Sequence, residues 1–344
     1  MVYKDIIING SYRNPHDTKK TCKTIFSVIL SHYPNIFYRS YRSSMTYETF
    51  KKAVLHRLSE DIADPKQISI QSVCKNNGKY LDGLVILENN VNISPTIYLN
   101  YYYEYYRTKD SFPAAYERIL NHYRQNRTDE HIDVRFFTDF EQTRSRIVLK
   151  LIHYEKNRKL LKEVPHIPFL DLAIVFYCYF PIDPKIGNAT ILIRNSHLEL
   201  WNQTVQTLYP LAMENSRRLL APQLHNMNSL LGTILPDSGY PTVVVPDDPL
   251  YPMYVLTNKQ NMFGAACVLY DNLIRSYAEQ FRTDFYLLPS SIHEIILVPA
   301  IQNDRIRDFT EMVQEVNETQ VSEEEFLSDH AYYYSREEDK ITWE

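Results

Sequence analysis

The sequence predicts an α+β fold, mainly antiparallel sheets with packed helices, arranged as two intimately packed halves. Three observations carry this. Strand-like runs follow strand-like runs as often as they alternate with helical ones, Asn77-Gly78 is a hairpin-turn signal between two of them, and no short period repeats along the chain. The division falls near "EVPHIPF", giving an N-terminal half over 45–163 and a C-terminal half over 164–344. Residues 1–44, with two prolines and no sustained period, read as a leader or upstream extension outside the fold.

"MTYETFKKAVLHRLSED" opens the first half as a helix. Thr46 can cap it, Glu48 suits its first turn, and Tyr47, Phe50, Val54, Leu55 and Leu58 share one face. "ISIQSVC" (68–74) and "KYLDGLVILE" (79–88) read as a hairpin. "SPTIYLNYYYEYY" passes from strand into helix, Phe112 to Tyr123 is helical, and "HIDVRFF" (131–137) is a strand. Thr138 and Glu141 form a capping-box pattern, and Ile147, Val148, Leu151 and Ile152 continue that helix, whose basic stretch runs over 144–162.

In the second half "LDLAIVFYCYF" (170–180) and "ATILIRN" (189–195) pair as strands around "PIDPKIGN". A helix follows at 204–219 with Pro210 inside or opening it, then an irregular proline-rich stretch over 221–252. "MYVLTN" is a strand. Phe263, Ala266, Cys267, Tyr270, Leu273, Ile274, Tyr277 and Phe281 predict one helix of about five turns. "DFYLLP" and "EIILVP" are strands, Phe309, Met312, Val313 and Val316 mark a last helix, and "HAYYYS" and "KITW" close the chain as strands.

Composition excludes several chemistries. The 44% hydrophobic and 23% charged content is that of a folded globular protein. No apolar run approaches the roughly 18–20 residues that span a bilayer, and the N-terminus lacks the apolar core of a signal peptide. The expectation is therefore a cytoplasmic protein with no membrane role. Only 7 of 344 residues are glycine, and no GxGxxG occurs; the nearest approach to a phosphate loop, Gly78 to Gly83, continues with Leu84. Cys22, Cys74, Cys178 and Cys267 show no short spacing, so each reads as a small hydrophobe rather than a zinc or disulfide ligand. Residues 302–344 carry four Lys/Arg against thirteen Asp/Glu, an acidic segment that disfavours nucleic acid there.

The motif-like residues each fall short of a known pattern. His293-Glu294 begins an HExxH but Leu297 stands where the second histidine belongs, and the apolar spacing is that of a strand. None of the eleven histidines lies within eight residues of another. Neither a metal nor a cofactor is expected. Asp171 with Asp183-Pro184-Lys185 mimics a nuclease pattern, but Pro184 sits where a bonded strand is required. Ser290, Ser291, His293, Glu294, Asp329 and His330 could assemble into a hydrolytic site, although no GxSxG elbow accompanies them. "YLNYYYEYY" could stack bases, with packing of the rings as the plainer account.

Several stretches together, among them "MTYETFKKAVLHRL", "VCKNNGKYLDGLVI", "VPHIPFLDLAIVFY", "FGAACVLY", "LPSSIHEIILVP" and "VNETQVSEEEFLSDHAYYY", resemble the bacterial domain-of-unknown-function family DUF5688 over about residues 45–335. The second half is more faintly similar to DUF1444. Neither resemblance implies an activity, a cofactor or catalytic residues. Members of the first family begin where Met45 stands, in keeping with the leader reading.

The functional expectation is a non-enzymatic binding or regulatory protein whose partner is another protein. The alternatives are a hydrolase using Ser291, His293, Glu294, Asp329 and His330, and a nucleic-acid binder using the tyrosine-rich stretch with the basic helix over 144–162.

Overall fold

A computed structural model of the chain describes residues 45–62, 67–87, 94–127, 137–183, 187–227, 229, 252–300 and 306–343. The leader, residues 131–136 of the strand expected at 131–137 and most of the irregular stretch lie outside the described residues, as does Pro184-Lys185.

The first packing unit is built as the hydrophobic pattern requires. Helix α1 (Tyr47–Asp61) starts where the Thr46 hydroxyl accepts from the Thr49 amide, and it buries Phe50, Val54 and Leu58. Strands β1 (Gln67–Cys74) and β2 (Tyr80–Leu87) form an antiparallel hairpin. Its turn contains Asn77 at φ 60° and Gly78 at φ 69°, the left-handed region that Asn-Gly tolerates best. Strand β3 (Ile97–Tyr98) joins β2 and runs straight into α2 (Leu99–Lys109), after which α3 (Phe112–Asn126) packs back with Ile119, Leu120 and Tyr123 inward. The tyrosine-rich stretch belongs to this core. Tyr106 is buried, Tyr103 donates to the Met45 carbonyl, and Tyr102 bonds the His122 ring.

The chain then departs from the helical expectation. After one short turn of helix, α4 (Phe140–Thr143, capped by Asp139 rather than Thr138), residues Ile147–His153 form strand β4. The run Ile-Val-Leu-Lys-Leu-Ile is half β-branched and is buried on both faces. Such a run satisfies a 3.6-residue period by accident, and its propensity favours the strand. The basic helix expected over 144–162 is therefore absent: a 3-10 turn, β4, a second 3-10 turn and the short α5 (Arg158–Leu161) occupy it.

Strand β4 pairs with β6 (Leu172–Asp183) over seven residues, and β5 (His166–Phe169) and β7 (Gly187–Leu192) share the opposite edge of β6. A division at 163/164 thus cuts through one sheet. Side-chain packing separates instead a cluster drawn from Phe50 to Tyr123 from clusters that begin at Phe137. Helix α6 (Asn195–Trp201), not foreseen, precedes α7 (Val205–Leu219), which accommodates Pro210 inside the helix. Helix α7 covers the free edge of β4: the Leu149 amide donates to the Ser216 hydroxyl, and Asn215 donates to the Ile147 carbonyl.

A six-stranded antiparallel sheet completes the body, in the order β13-β12-β10-β11-β9-β8. Its strands are β8 (Pro222–Asn226), β9 (Tyr254–Asn258), β10 (Phe285–Ser291), β11 (Glu294–Pro299), β12 (Tyr332–Ser335) and β13 (Lys340–Thr342). Alternation along β10 sends Phe285 and Leu287 into the main core shared with the four-stranded sheet. Tyr286 and Leu288 face α9 (Ile306–Gln320) through Phe309 and Val313. The five-turn helix expected from Phe263 onward is broken. Gly264–Leu269 is 3-10, Asn272 turns left-handed at φ 59°, and only α8 (Leu273–Phe281) is α-helical. The close approach at Gly264 accounts for the break, because a Cβ there would lie 2.2 Å from the His293 carbonyl oxygen. Among the described residues no helix is long and apolar enough to cross a membrane. The architecture is α+β with antiparallel sheets.

Candidate functional site

The stretch Leu287–Pro299 is the β10–β11 hairpin, with Ile292-His293 at its turn and a bulge between Pro289 and Ser291. The Ser290 hydroxyl donates to Glu294 Oε1 at 3.2 Å, and the Ser291 hydroxyl accepts the His293 amide at 3.1 Å. His293 turns the other way: its Nδ1 accepts the Phe263 amide at 3.3 Å and its ring stacks on the Phe263 ring at 6.4 Å. His330 packs its ring against Trp343, with Nδ1 buried and unbonded, while Asp329 accepts from Asn317. The structure joins Ser290 to Glu294 and places His293 and His330 against different aromatic partners. Among the described residues no group of three or more His, Cys, Asp or Glu is placed to hold a metal ion.

Glu294 is 2% exposed, and its Oε2 has no hydrogen-bond partner. Burial pushes its pKa up to about 8; the Ser290 bond opposes this and the charge of Glu325 adds to it. The side chain is thus a neutral carboxylic acid near pH 7, which removes most of the cost of burying it.

A different cluster has the marks of a binding site. Strand alternation puts Val148, Lys150 and Ile152 on the face of the four-stranded sheet turned away from the main core. Lys150 is only 6% exposed. Its ammonium lies 4.9 Å from the Phe263 ring centroid and 5.2 Å from that of Tyr177, and it makes no hydrogen bond to any described residue. Two aromatic faces give a cation about 1–2 kcal/mol each, less than full hydration supplies to an ammonium.

Around this floor stand less buried groups from three distant segments. Lys75, in the β1–β2 turn, holds its Nζ 4.1 Å over the Tyr98 ring. Asn76 donates to the Glu324 carbonyl at 3.0 Å, yet its Oδ1 is buried without a partner. The Glu324 carboxylate accepts the Tyr101 hydroxyl. Lys75, Asn76, Tyr98, Tyr177 and Glu324 are half-buried and Tyr101 is exposed, so burial deepens from this rim to Lys150. Burial pushes the Lys150 ammonium down to about 7; the charge of Lys75 adds to the fall and Glu324 opposes it. Lys75 itself falls to about 8 through burial, again against Glu324.

The rim is fixed by a polar clasp. Asn77 donates through Nδ2 to the carbonyls of Glu323 and Phe326, both at 2.8 Å, and exchanges two further bonds with Asn157. One residue thus ties the β1–β2 turn to the 323–326 loop and to the segment following β4. Sequence reasoning reached Tyr98 and Tyr101 only within the tyrosine-rich stretch, and Lys150 only within the basic helix expected over 144–162. The available signal was a lysine inside an otherwise apolar run, "IVLKLI", which the helical reading had placed in the basic helix over 144–162.

The chain matches the model of a family of unknown function, DUF5688, over residues 47–336. The fainter likeness to DUF1444 is not shown. Comparisons with curated proteins and with solved structures returned no significant match.

Proposed function

Because the chain belongs to the DUF5688 family, whose function is unknown, we propose from the site itself that it is a binding protein for a small anionic molecule. The observation that carries this is Lys150, a residue only 6% exposed whose ammonium has no hydrogen-bond partner among the described residues. A carboxylate or phosphate oxygen would supply the missing acceptor, and the adjacent Lys75 would share its charge. The unbonded Asn76 Oδ1 can accept from a hydroxyl or amide on the same ligand.

Binding of this kind keeps the regulatory, non-enzymatic reading of the sequence while changing the partner. A protein would have to insert a carboxylate past the rim, whereas a small molecule reaches a buried amine without that constraint. The separate engagement of Ser291, His293, Asp329 and His330 favours binding over hydrolysis, which needs nucleophile, base and acid in mutual contact. The loss of the basic helix over 144–162 removes the main support for nucleic acid.

Thermal melting of the full chain with a panel of small carboxylates and inorganic phosphate tests the proposal. A ligand at a hundred times its Kd stabilises by about 2.7 kcal/mol. The reading requires at least one anion to raise the melting temperature saturably, and the same anion to leave Lys150→Met unmoved. Equal shifts in both proteins would defeat it.

A further inference from the structure

We propose that the ligand of this site carries a carbonyl group beside its anionic group, and that Lys150 captures it covalently as an imine. The inference rests on the binding reading above and deepens it. Three features converge on amine chemistry, against one that opposes it. Lys150 Nζ has no hydrogen bond to any described residue that would hold its lone pair or fix its protons. Its surroundings are apolar and aromatic: Val148 and Ile152 along the strand, Tyr177 and Phe263 across it. A second ammonium, Lys75, stands close enough to disfavour a charge on Lys150, and a carboxylate, Glu324, stands close enough to oppose it. A desolvated lysine next to another cation is the arrangement in which an amine becomes a nucleophile near neutral pH.

The step balances without an added oxidant or reductant. The Lys150 nitrogen lone pair attacks the carbonyl carbon, and the C=O π pair moves to oxygen, giving a carbinolamine once a proton passes from nitrogen to oxygen. The hydroxyl then leaves as water while the second N–H proton departs and the C=N bond forms. Amine plus carbonyl gives imine plus water. Lys75 would pair with the ligand's carboxylate or phosphate throughout. Glu324, whose charge acts on both lysines, is the carboxylate that would serve the proton transfers.

Glyoxylate and pyridoxal phosphate serve as probes because each carries a carbonyl and an anion. The full chain is incubated with each at neutral pH, reduced with borohydride, digested and mapped by mass spectrometry. The expected result is one dominant adduct, on Lys150, whose yield falls when inorganic phosphate or acetate is added as an unreactive competitor. Adducts spread over exposed lysines with none at Lys150 would overturn the inference, and this comparison needs only the wild-type chain. Titration of the wild-type chain with inorganic phosphate separates the two proposals. Wild-type chain that binds phosphate yet forms no adduct overturns the covalent step alone, and wild-type chain that does neither overturns both.

Discussion

The ammonium of Lys150 sits 4.9 Å from the centroid of the Phe263 ring, and that ring is held in turn by His293. The histidine Nδ1 accepts the Phe263 amide, and the two rings stack. Phe263 itself adopts φ 58°. The hairpin turn at His293 therefore acts as a buttress for the wall of the Lys150 site, a positioning role that needs no chemistry from the imidazole.

Gly264 tests that buttress. A Cβ at this position would meet the His293 carbonyl at 2.2 Å and the Thr257 hydroxyl at 2.4 Å, so backbone must move. Overpacking of this kind costs typically 1–3 kcal/mol. Gly264→Ala is expected to lower the unfolding free energy read from urea denaturation by that order and to weaken anion binding as Phe263 shifts. A variant with wild-type stability and binding would contradict the packing described.

Lys150→Met should stabilise the chain in the absence of ligand. The folded lysine is pushed down to about 7, while an unfolded one titrates near 10.4. Between these values the unfolded chain binds a proton that the folded chain does not, so the stability of the wild type rises with pH. Below pH 7 the burial penalty is present in full, and it is relieved as pH approaches 10. Urea unfolding should show Lys150→Met ahead by roughly 1–4 kcal/mol at pH 6.5, with the gap narrowing towards pH 9.5. A gap independent of pH would contradict the assignment.

Glu294 predicts the opposite slope. Its pKa is raised from the ordinary carboxylate range to about 8, so the folded state holds a proton that the unfolded state loses. The resulting stability is complete below about pH 4.5 and is lost as pH rises through 8. Glu294→Gln keeps an acceptor for Ser290 and cannot ionise. It should gain on the wild type by roughly 1 kcal/mol per pH unit between pH 5 and 8, read from the same denaturation series.

Asn77 offers a test of the clasp. Asn77→Ala removes two donated bonds to the 323–326 loop and leaves Asn157 partly unpaired, at about 1 kcal/mol per bond. It also places alanine at φ 60°, which adds roughly 1–2 kcal/mol. Asn77→Gly suffers only the first loss. Unfolding should rank wild type above Gly above Ala, and anion affinity should fall in both variants because Lys75 and Asn76 sit in the same turn.

Much of this fold was legible in the chain itself. The Asn77-Gly78 turn, the Thr46 cap and the short apolar runs of β10 and β11 are local devices, and each stands where local chemistry puts it. Two helices were misread for a common reason. The apolar residues of Ile147–Ile152 and of Phe263–Tyr270 fit a helical period, but tertiary constraints decided otherwise: pairing with β6 in one case, the squeeze of Gly264 against His293 in the other. The site was illegible because its meaning is non-local. Lys150 alone in an apolar strand is an oddity, and it becomes a site only when Lys75 and Glu324 arrive beside it from opposite ends of the chain. The serine, histidine and acid residues near the last hairpin drew notice by their types, while the contacts they make are mostly to backbone and aromatic rings.

The central claim is that Lys150 waits for an anion. Calorimetric titration of the wild-type chain and of Lys150→Met with inorganic phosphate, acetate and glyoxylate tests it most directly. The account predicts a saturable, one-to-one heat for at least one of these in the wild type and none in a Lys150→Met protein that melts no lower. Identical heats in the two proteins, or no binding of any anion to the wild type, would contradict it.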